Sequence, residues 1–214
     1  MCGIVGYVGS RQCTEVLIDA LSKLEYRGYD SAGIAVFDNG EIKVAKSKGR
    51  LKDLENKMEK EGTPNGFAGI GHTRWATHGE PSDVNSHPHS GERVTIVHNG
   101  IIENYKPLKE FLLSQGRVFQ SETDTEVVAQ LLDYYYDGNP LETIKKVMHE
   151  LEGSFALGIV FADFKDTVYA VRCESPLIVG VGENESFIAS DVPAILKYTK
   201  DYYLLEYGEI AVLN

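Results

Sequence analysis

Hydrophobic periodicities of two and of 3.6 residues arrive in blocks along this chain, instead of alternating strand by helix. A doubly wound parallel sheet needs a helical crossover between successive strands, so such blocks favour layered α+β packing. Residues 3 to 8 read as a short apolar, glycine-punctuated strand at the very start. Cys13, Val16, Leu17, Ala20, Leu21 and Leu24 then recur at helical spacing and predict an amphipathic helix ending near Arg27-Gly28. Ile34 to Phe37 and Ile42 to Ala45 flank Asn39-Gly40, a dipeptide suited to a type I′ turn, so a β-hairpin is expected there.

A charged helix follows at about 50 to 61, then a strand from Phe67 to Thr73. Arg74 to Arg93, rich in Gly, Pro, His, Ser and Asn, reads as a long loop, and loops of that length in compact domains usually have a function. Val94 to His98 reads as a strand; Ile101 to Gln115, Asp124 to Tyr136 and Leu141 to Leu151 read as helices. The remainder is mostly β: Phe155 to Phe161, Thr167 to Arg172, Leu177 to Val181, Phe187 to Ala189 and two strands within 202 to 213, with a short helix near Val192 to Lys197. No repeat, low-complexity segment or linker interrupts this pattern, so one domain is expected over residues 1 to 214.

Hydrophobic residues at 43% and charged residues at 25% fit a soluble globular protein. A formal net charge of -11, with no Lys/Arg run longer than two, provides no field for a polyanion and argues against a nucleic-acid partner. No stretch approaches the roughly 18 apolar residues of a membrane span, and no basic leader precedes an apolar stretch, so the expectation is a cytoplasmic protein without membrane association. Cys2, Cys13 and Cys173 are an odd number without metal spacing, which indicates neither a disulfide framework nor a zinc knuckle.

Cys2 follows the initiator Met1, which is normally removed before so small a residue. A thiol, with a pKa of about 8.5, and an α-amine, at about 7.7 to 8.0, would then share one residue, and the amine could take the thiol proton directly or through a water. The thiolate could attack an amide carbonyl and form a thioester that water later cleaves. The bland alternative is a small residue at a frayed terminus, but the apolar strand Gly3-Ile4-Val5-Gly6 places this terminus in the core. For Cys13 and Cys173 the reading is a buried hydrophobe.

Five motifs carry a family resemblance over nearly the whole chain. They are Cys2-Gly3-Ile4-Val5-Gly6, the stretch from Tyr26 to Gly33, the stretch from Gly71 to Gly79, His98-Asn99-Gly100 with the residues to Tyr105, and Thr123-Asp124-Thr125-Glu126. With them the chain resembles the glutaminase domain of the glutamine:fructose-6-phosphate amidotransferases, the glucosamine-6-phosphate synthases of hexosamine biosynthesis. The resemblance implies an N-terminal-nucleophile hydrolase fold, a four-layer α/β/β/α sandwich of two stacked antiparallel sheets. It implies hydrolysis of L-glutamine to L-glutamate and ammonia, without metal or cofactor. The complete enzymes of the family are oligomeric and carry a C-terminal sugar isomerase portion that uses the ammonia; nothing after Asn214 corresponds to it, so ammonia release to solvent is expected.

The same resemblance makes Cys2 the nucleophile, Asn99 and Gly100 the oxyanion hole, and Arg74 and Asp124 the holders of the substrate's amino-acid end. Thr77 and His78 become further substrate contacts. Chemistry agrees: an amide NH2 and a backbone N–H are the donors a developing oxyanion needs, and a guanidinium fork suits a carboxylate. Asn99-Gly100 lies between a predicted strand and a predicted helix, where a hairpin turn has no role and backbone donors are available. Alternatives stay open for several residues. Arg74 could form a surface ion pair, and Asp124 could be a helix N-cap. The resemblance puts Trp75 beside the ammonia exit, while its plain reading is a packed loop anchor. Arg27 either supports the nucleophile's surroundings or complements a helix C-terminus. His87-Pro88-His89 lacks a spaced third ligand, which favours a satisfied loop over a metal site. Cys173-Glu174 departs from the family pattern. Competing functions are the glutaminase portion of a phosphoribosyl or glutamate-forming amidotransferase, and a binding-only relative that retains Met1.

Overall fold

The computed structural model describes residues 2–76 and 78–214. Among these residues, seven strands form one antiparallel sheet: β1 (Gly3–Val8), β2 (Ser31–Asp38), β3 (Glu41–Lys48), β4 (Ala68–Arg74), β9 (Ile178–Gly182), β10 (Glu185–Ala189) and β11 (Tyr202–Leu204). Their order is β11-β9-β10-β1-β4-β2-β3. A second antiparallel sheet has the order β12-β8-β7-β6-β5, from β5 (His89–Ser90), β6 (Val94–Ile102), β7 (Gly153–Phe161), β8 (Val168–Cys173) and β12 (Ile210–Leu213). The helices are α1 (Cys13–Ser22), α2 (Leu51–Glu61), α3 (Tyr105–Ser114), α4 (Asp124–Tyr135) and α5 (Pro140–Glu150).

Side-chain alternation along the strands dictates the layering, because successive residues point to opposite faces. Val5 and Tyr7 of β1 pack with Val16, Leu17 and Leu21 of α1 and with Leu54 of α2. Their neighbours Ile4 and Val8 pack the other way, with Ile70 of β4, Val97 of β6 and Ala156 of β7. On the far side of the second sheet, Ile96, Phe155 and Leu157 meet Val128 and Leu131 of α4 and Ile144 of α5. The result is helices, sheet, sheet, helices, the α+β sandwich expected. Each fully buried Leu, Ile or Val contributes about 1.5–3 kcal/mol, so three apolar layers hold the sandwich.

Local signals set the element ends. Asn39 and Gly40 both have positive φ, 51° and 91°, at the tip of the β2–β3 hairpin, as a type I′ turn requires. Asn139 caps α5 by accepting from the Glu142 amide at 3.3 Å, with Pro140 opening the helix.

Three expectations need correction. The first helix stops at Ser22, and a 3-10 turn over Glu25–Arg27 follows, closed by the Leu24 carbonyl, so Arg27 does not end α1. The helix expected from Ile101 begins at Tyr105. Asn99-Gly100 lies not between strand and helix but inside β6, where Asn99 pairs Ala156 and Gly100 pairs Phe155. Gly100 sustains the strand at φ 110°, and a Cβ there would sit 1.9 Å from the Ser154 carbonyl oxygen. Strand pairing with β7 outweighs the helical pattern, since β7 supplies partners as far as Ile102.

Candidate active site

The inner faces of three strands turn polar at one end of the sandwich. On β4 the inward row Ala68 and Ile70 continues by period two to His72 and Arg74; on β6 Val97 continues to Asn99; ahead of β1, Cys2 continues the row of Ile4. Register aligns these ends, because Gly3 pairs Thr73 and Ile4 pairs His72. Cys2, Arg74 and Asn99 therefore converge on a cavity of about 290 Å³, which Arg27, Trp75, His78, Gly100 and Asp124 also line. This volume fits an amino-acid-sized ligand.

Cys2 is fixed from several sides. Its sulfur accepts from the Trp75 amide at 3.2 Å, and its carbonyl oxygen accepts from Arg27 Nε at 3.1 Å and from Asn99 Nδ2 at 3.0 Å. Burial pushes the thiol pKa up; the Trp75 amide and the Arg74 charge act against that, and the Asp30 carboxylate adds to it. Arg27 in turn pairs with Asp191 at 2.9 Å. Asp30 holds the strand end opposite, accepting from the Ala76 amide while its own amide donates to the Arg74 carbonyl at 3.1 Å. Gly28 permits that contact, since a Cβ there would meet the Arg74 carbonyl carbon at 2.7 Å.

Arg74 is 3% exposed, which excludes a surface ion pair. One arm of its guanidinium, Nη2, donates to the carbonyls of His78 and Gly79, so the fork is half spent. The other arm, Nη1, is buried without a hydrogen-bond partner. Burial lowers the Arg74 pKa, opposed by the charges of Asp30, Cys2 and Asp124. Asp124 does not cap α4; Thr123 does, accepting from the Glu126 amide at 3.3 Å, and Asp124 is the first helical residue. Its Oδ2 accepts from the Ile102 amide at 2.9 Å, and the residue lines the cavity.

His78 packs edge-on against Tyr105. Trp75 stands at the mouth, 50% exposed, with its ring edge-on to Tyr29 at 5.6 Å. Thr77 lies outside the described residues. Ser175 and Pro176, beside the atypical Cys173-Glu174, also border the cavity.

Against the cavity lies a group that the sequence reading did not bring together: His72, His87, His89 and His98, all buried, with His87 and His98 also lining the cavity. His72 and His87 stack at 4.0 Å, and His87 meets His89 edge-on at 5.0 Å. The His98 amide donates to His87 Nδ1 at 3.3 Å, so His87 carries its proton on Nε2, 3.3 Å from Thr125 Oγ1. Thr125 Oγ1 also lies 2.9 Å from His98 Nδ1. Desolvation lowers all four pKa values, that of His72 to about 3, so the rings are neutral. Among the described residues no cluster suited to a metal ion occurs. The one sequence signal for this group was the density of histidine, five within the 27 residues from His72 to His98, two of them in apolar strands.

Comparison with known proteins agrees with the geometry. The sequence profile described as "Glutamine amidotransferase domain" matches residues 72–197. The chain is 58% identical to the glutamine--fructose-6-phosphate aminotransferase of Caldanaerobacter subterraneus subsp. tengcongensis and 50% identical to that of Thermococcus kodakarensis. All of this chain aligns in both, against 35% and 36% of those proteins, so it spans about a third of their length. Among solved structures, the glutamine phosphoribosylpyrophosphate amidotransferase of B. subtilis superposes with a TM-score of 0.86 at 27% identity, covering the whole chain and 47% of that protein. A class-II glutamine aminotransferase domain protein from Silicibacter pomeroyi shares the fold at a TM-score of 0.66 and 14% identity, over 99% of this chain and 94% of that one. Among the described residues no helix is long and apolar enough to cross a membrane. A strand-end cysteine beside an amino-acid-sized cavity, and a profile covering more than half the sequence, lead to one assignment: the chain belongs to the glutamine amidotransferase domain family.

Proposed function

We propose that this chain hydrolyses L-glutamine to L-glutamate and ammonia through a thioester on Cys2. The observation that carries the reading is the convergence of Cys2, Arg74, Asn99 and Asp124 on one cavity, with Nη1 of Arg74 buried and without a hydrogen-bond partner. A buried guanidinium arm without a hydrogen-bond partner is costly, and a ligand carboxylate that accepts from it removes that cost. The α-carboxylate of glutamine binds there, with His78 and Thr77 as neighbouring contacts, while Asp124 Oδ1 takes the α-ammonium. The side-chain amide then extends toward Cys2.

With Met1 removed, the Cys2 α-amine accepts the thiol proton, directly or through a water, and the sulfur attacks the amide carbon. Negative charge moves onto the amide oxygen, where the second N–H of Asn99 Nδ2 and the Gly100 backbone N–H receive it. The C–N bond breaks, the nitrogen takes the proton and leaves as ammonia, and an acyl thioester remains. Water cleaves the C–S bond, releasing glutamate and restoring the thiol. Arg27 holds the Cys2 carbonyl throughout, and Trp75 flanks the ammonia exit.

Identities of 50–58% to the aminotransferases, against 27% to the phosphoribosylpyrophosphate enzyme, favour the hexosamine branch. In that reading the ammonia serves glucosamine-6-phosphate synthesis, with a sugar isomerase portion as the partner, in an oligomeric enzyme. Cytoplasmic placement suits its free thiols. The test is Cys2→Ala. Glutamate-dehydrogenase-coupled turnover is expected to fall below detection while the melting temperature changes little. Persistent turnover in that variant would defeat the proposal, as would labelling of Cys13 or Cys173 by an electrophilic glutamine analogue.

A further inference from the structure

An oxyanion donor is useful only if its hydrogens point the right way, and an Asn side chain can present either its NH2 or its oxygen. For Asn99 the surroundings decide. His72 Nε2 lies 2.9 Å from the His98 carbonyl oxygen and 3.1 Å from Asn99 Oδ1. A backbone carbonyl can only accept, so Nε2 carries the ring proton. The amide atom sharing that proton must then be an acceptor, which is the oxygen. The Asn99 NH2 is thereby turned to the opposite side, where it donates to the Cys2 carbonyl at 3.0 Å. His72 Nδ1 is buried without a partner, as a bare ring nitrogen is when the proton sits on Nε2.

We propose that His72 is a positioning residue for glutamine hydrolysis: its Nε2–H locks the Asn99 amide with the NH2 toward the nucleophile. This rests on the glutaminase reading above. His72 is fully buried, and stacking on His87 at 4.0 Å fixes its ring plane. It does not line the cavity, and among the lining residues it meets, Asn99 is the one that carries an oxyanion donor. A protonated His72 would keep the same Nε2 donor, so its function is donor geometry and not charge.

The experiment uses the 214-residue chain, with glutamine turnover and the alkylation rate of Cys2 by iodoacetamide as separate readouts. Alkylation needs the thiol but no oxyanion donor. His72→Leu is expected to lower kcat about 100-fold with KM within about threefold and the alkylation rate unchanged, the loss typical of a misplaced reacting group. His72→Gln, whose amide nitrogen reaches the position of Nε2, is expected to recover most of that loss. In an Asn99→Ala background, His72→Leu should cost nothing more. Wild-type kcat in His72→Leu, an equal fall in alkylation, additive losses in the double variant, or a folded His72→Gln as slow as His72→Leu would each overturn the proposal. Should His72→Leu not fold, the kcat of His72→Gln and its pairing with Asn99→Ala decide. Absence of turnover in the wild-type chain, or turnover in Cys2→Ala, strikes the glutaminase reading instead, so the two failures are distinguishable.

Discussion

At the scale of single residues, Arg74 separates binding from chemistry. Its Nη2 is tied to the carbonyls of the following loop, so this arm shapes the cavity wall, while Nη1 is without a hydrogen-bond partner. A lysine has one ammonium where arginine has two arms, and it cannot do both. Arg74→Lys is therefore expected to raise KM for glutamine by about 30-fold or more, equivalent to roughly 2 kcal/mol, with a smaller change in kcat. Steady-state kinetics over a wide glutamine range checks this; a loss confined to kcat would show that the residue serves the reaction step. Arg74, Cys2 and Asp124 were legible because they sit in distinctive motifs. His72 lies in the same motif as Arg74, yet its partner was not legible, since a histidine in the row Ala68, Ile70, His72 of an apolar strand carries no sign of the amide that faces it from 27 residues away.

At the scale of elements, β6 shows why a site can be legible while its scaffold is misread. The Asn-Gly pair marks a break in local propensity, and the sequence beyond it has helical spacing. Neither reveals that β7 pairs the segment as far as Ile102, because strand pairing is long-range information. Gly100 makes the continuation affordable. A methyl group there would meet the Ser154 carbonyl and face a φ of 110°, so Gly100→Ala should destabilise the fold by about 2–3 kcal/mol. Urea unfolding measures this, and turnover in the folded fraction should drop with it because the Gly100 amide would shift. A variant as stable as wild type would mean that β6 relaxes at no cost. Block order pointed to layered α+β packing and the family resemblance to the four-layer sandwich, whereas the first-helix boundary failed because Leu24 continues the apolar spacing after hydrogen bonding has tightened to a 3-10 turn.

At the scale of the whole molecule, the four histidines buried in and beside the active site make stability depend on pH. Their folded pKa values lie below the ordinary value near 6.5, so the unfolded chain binds more protons between the two values. Stability is complete above about pH 6.5 and falls as the pH drops toward 3, the folded value of His72, at roughly 1.4 kcal/mol per pH unit for each histidine in its window. Melting temperatures from pH 7.5 to 4.5 should decline steeply below 6.5, and more gently in His89→Gln, which removes one such group. A flat profile would show that these rings accept protons without unfolding.

The strand rows that glue the two sheets together are the same rows that end in Cys2, Arg74 and Asn99. A slip of β1 by two positions would keep every greasy side chain on its proper side, yet carry the sulfur about 7 Å from its station. Spectroscopy would score such a molecule as folded, and an ammonia assay would score it as dead. Turnover in this architecture therefore doubles as a ruler for how its backbone is aligned.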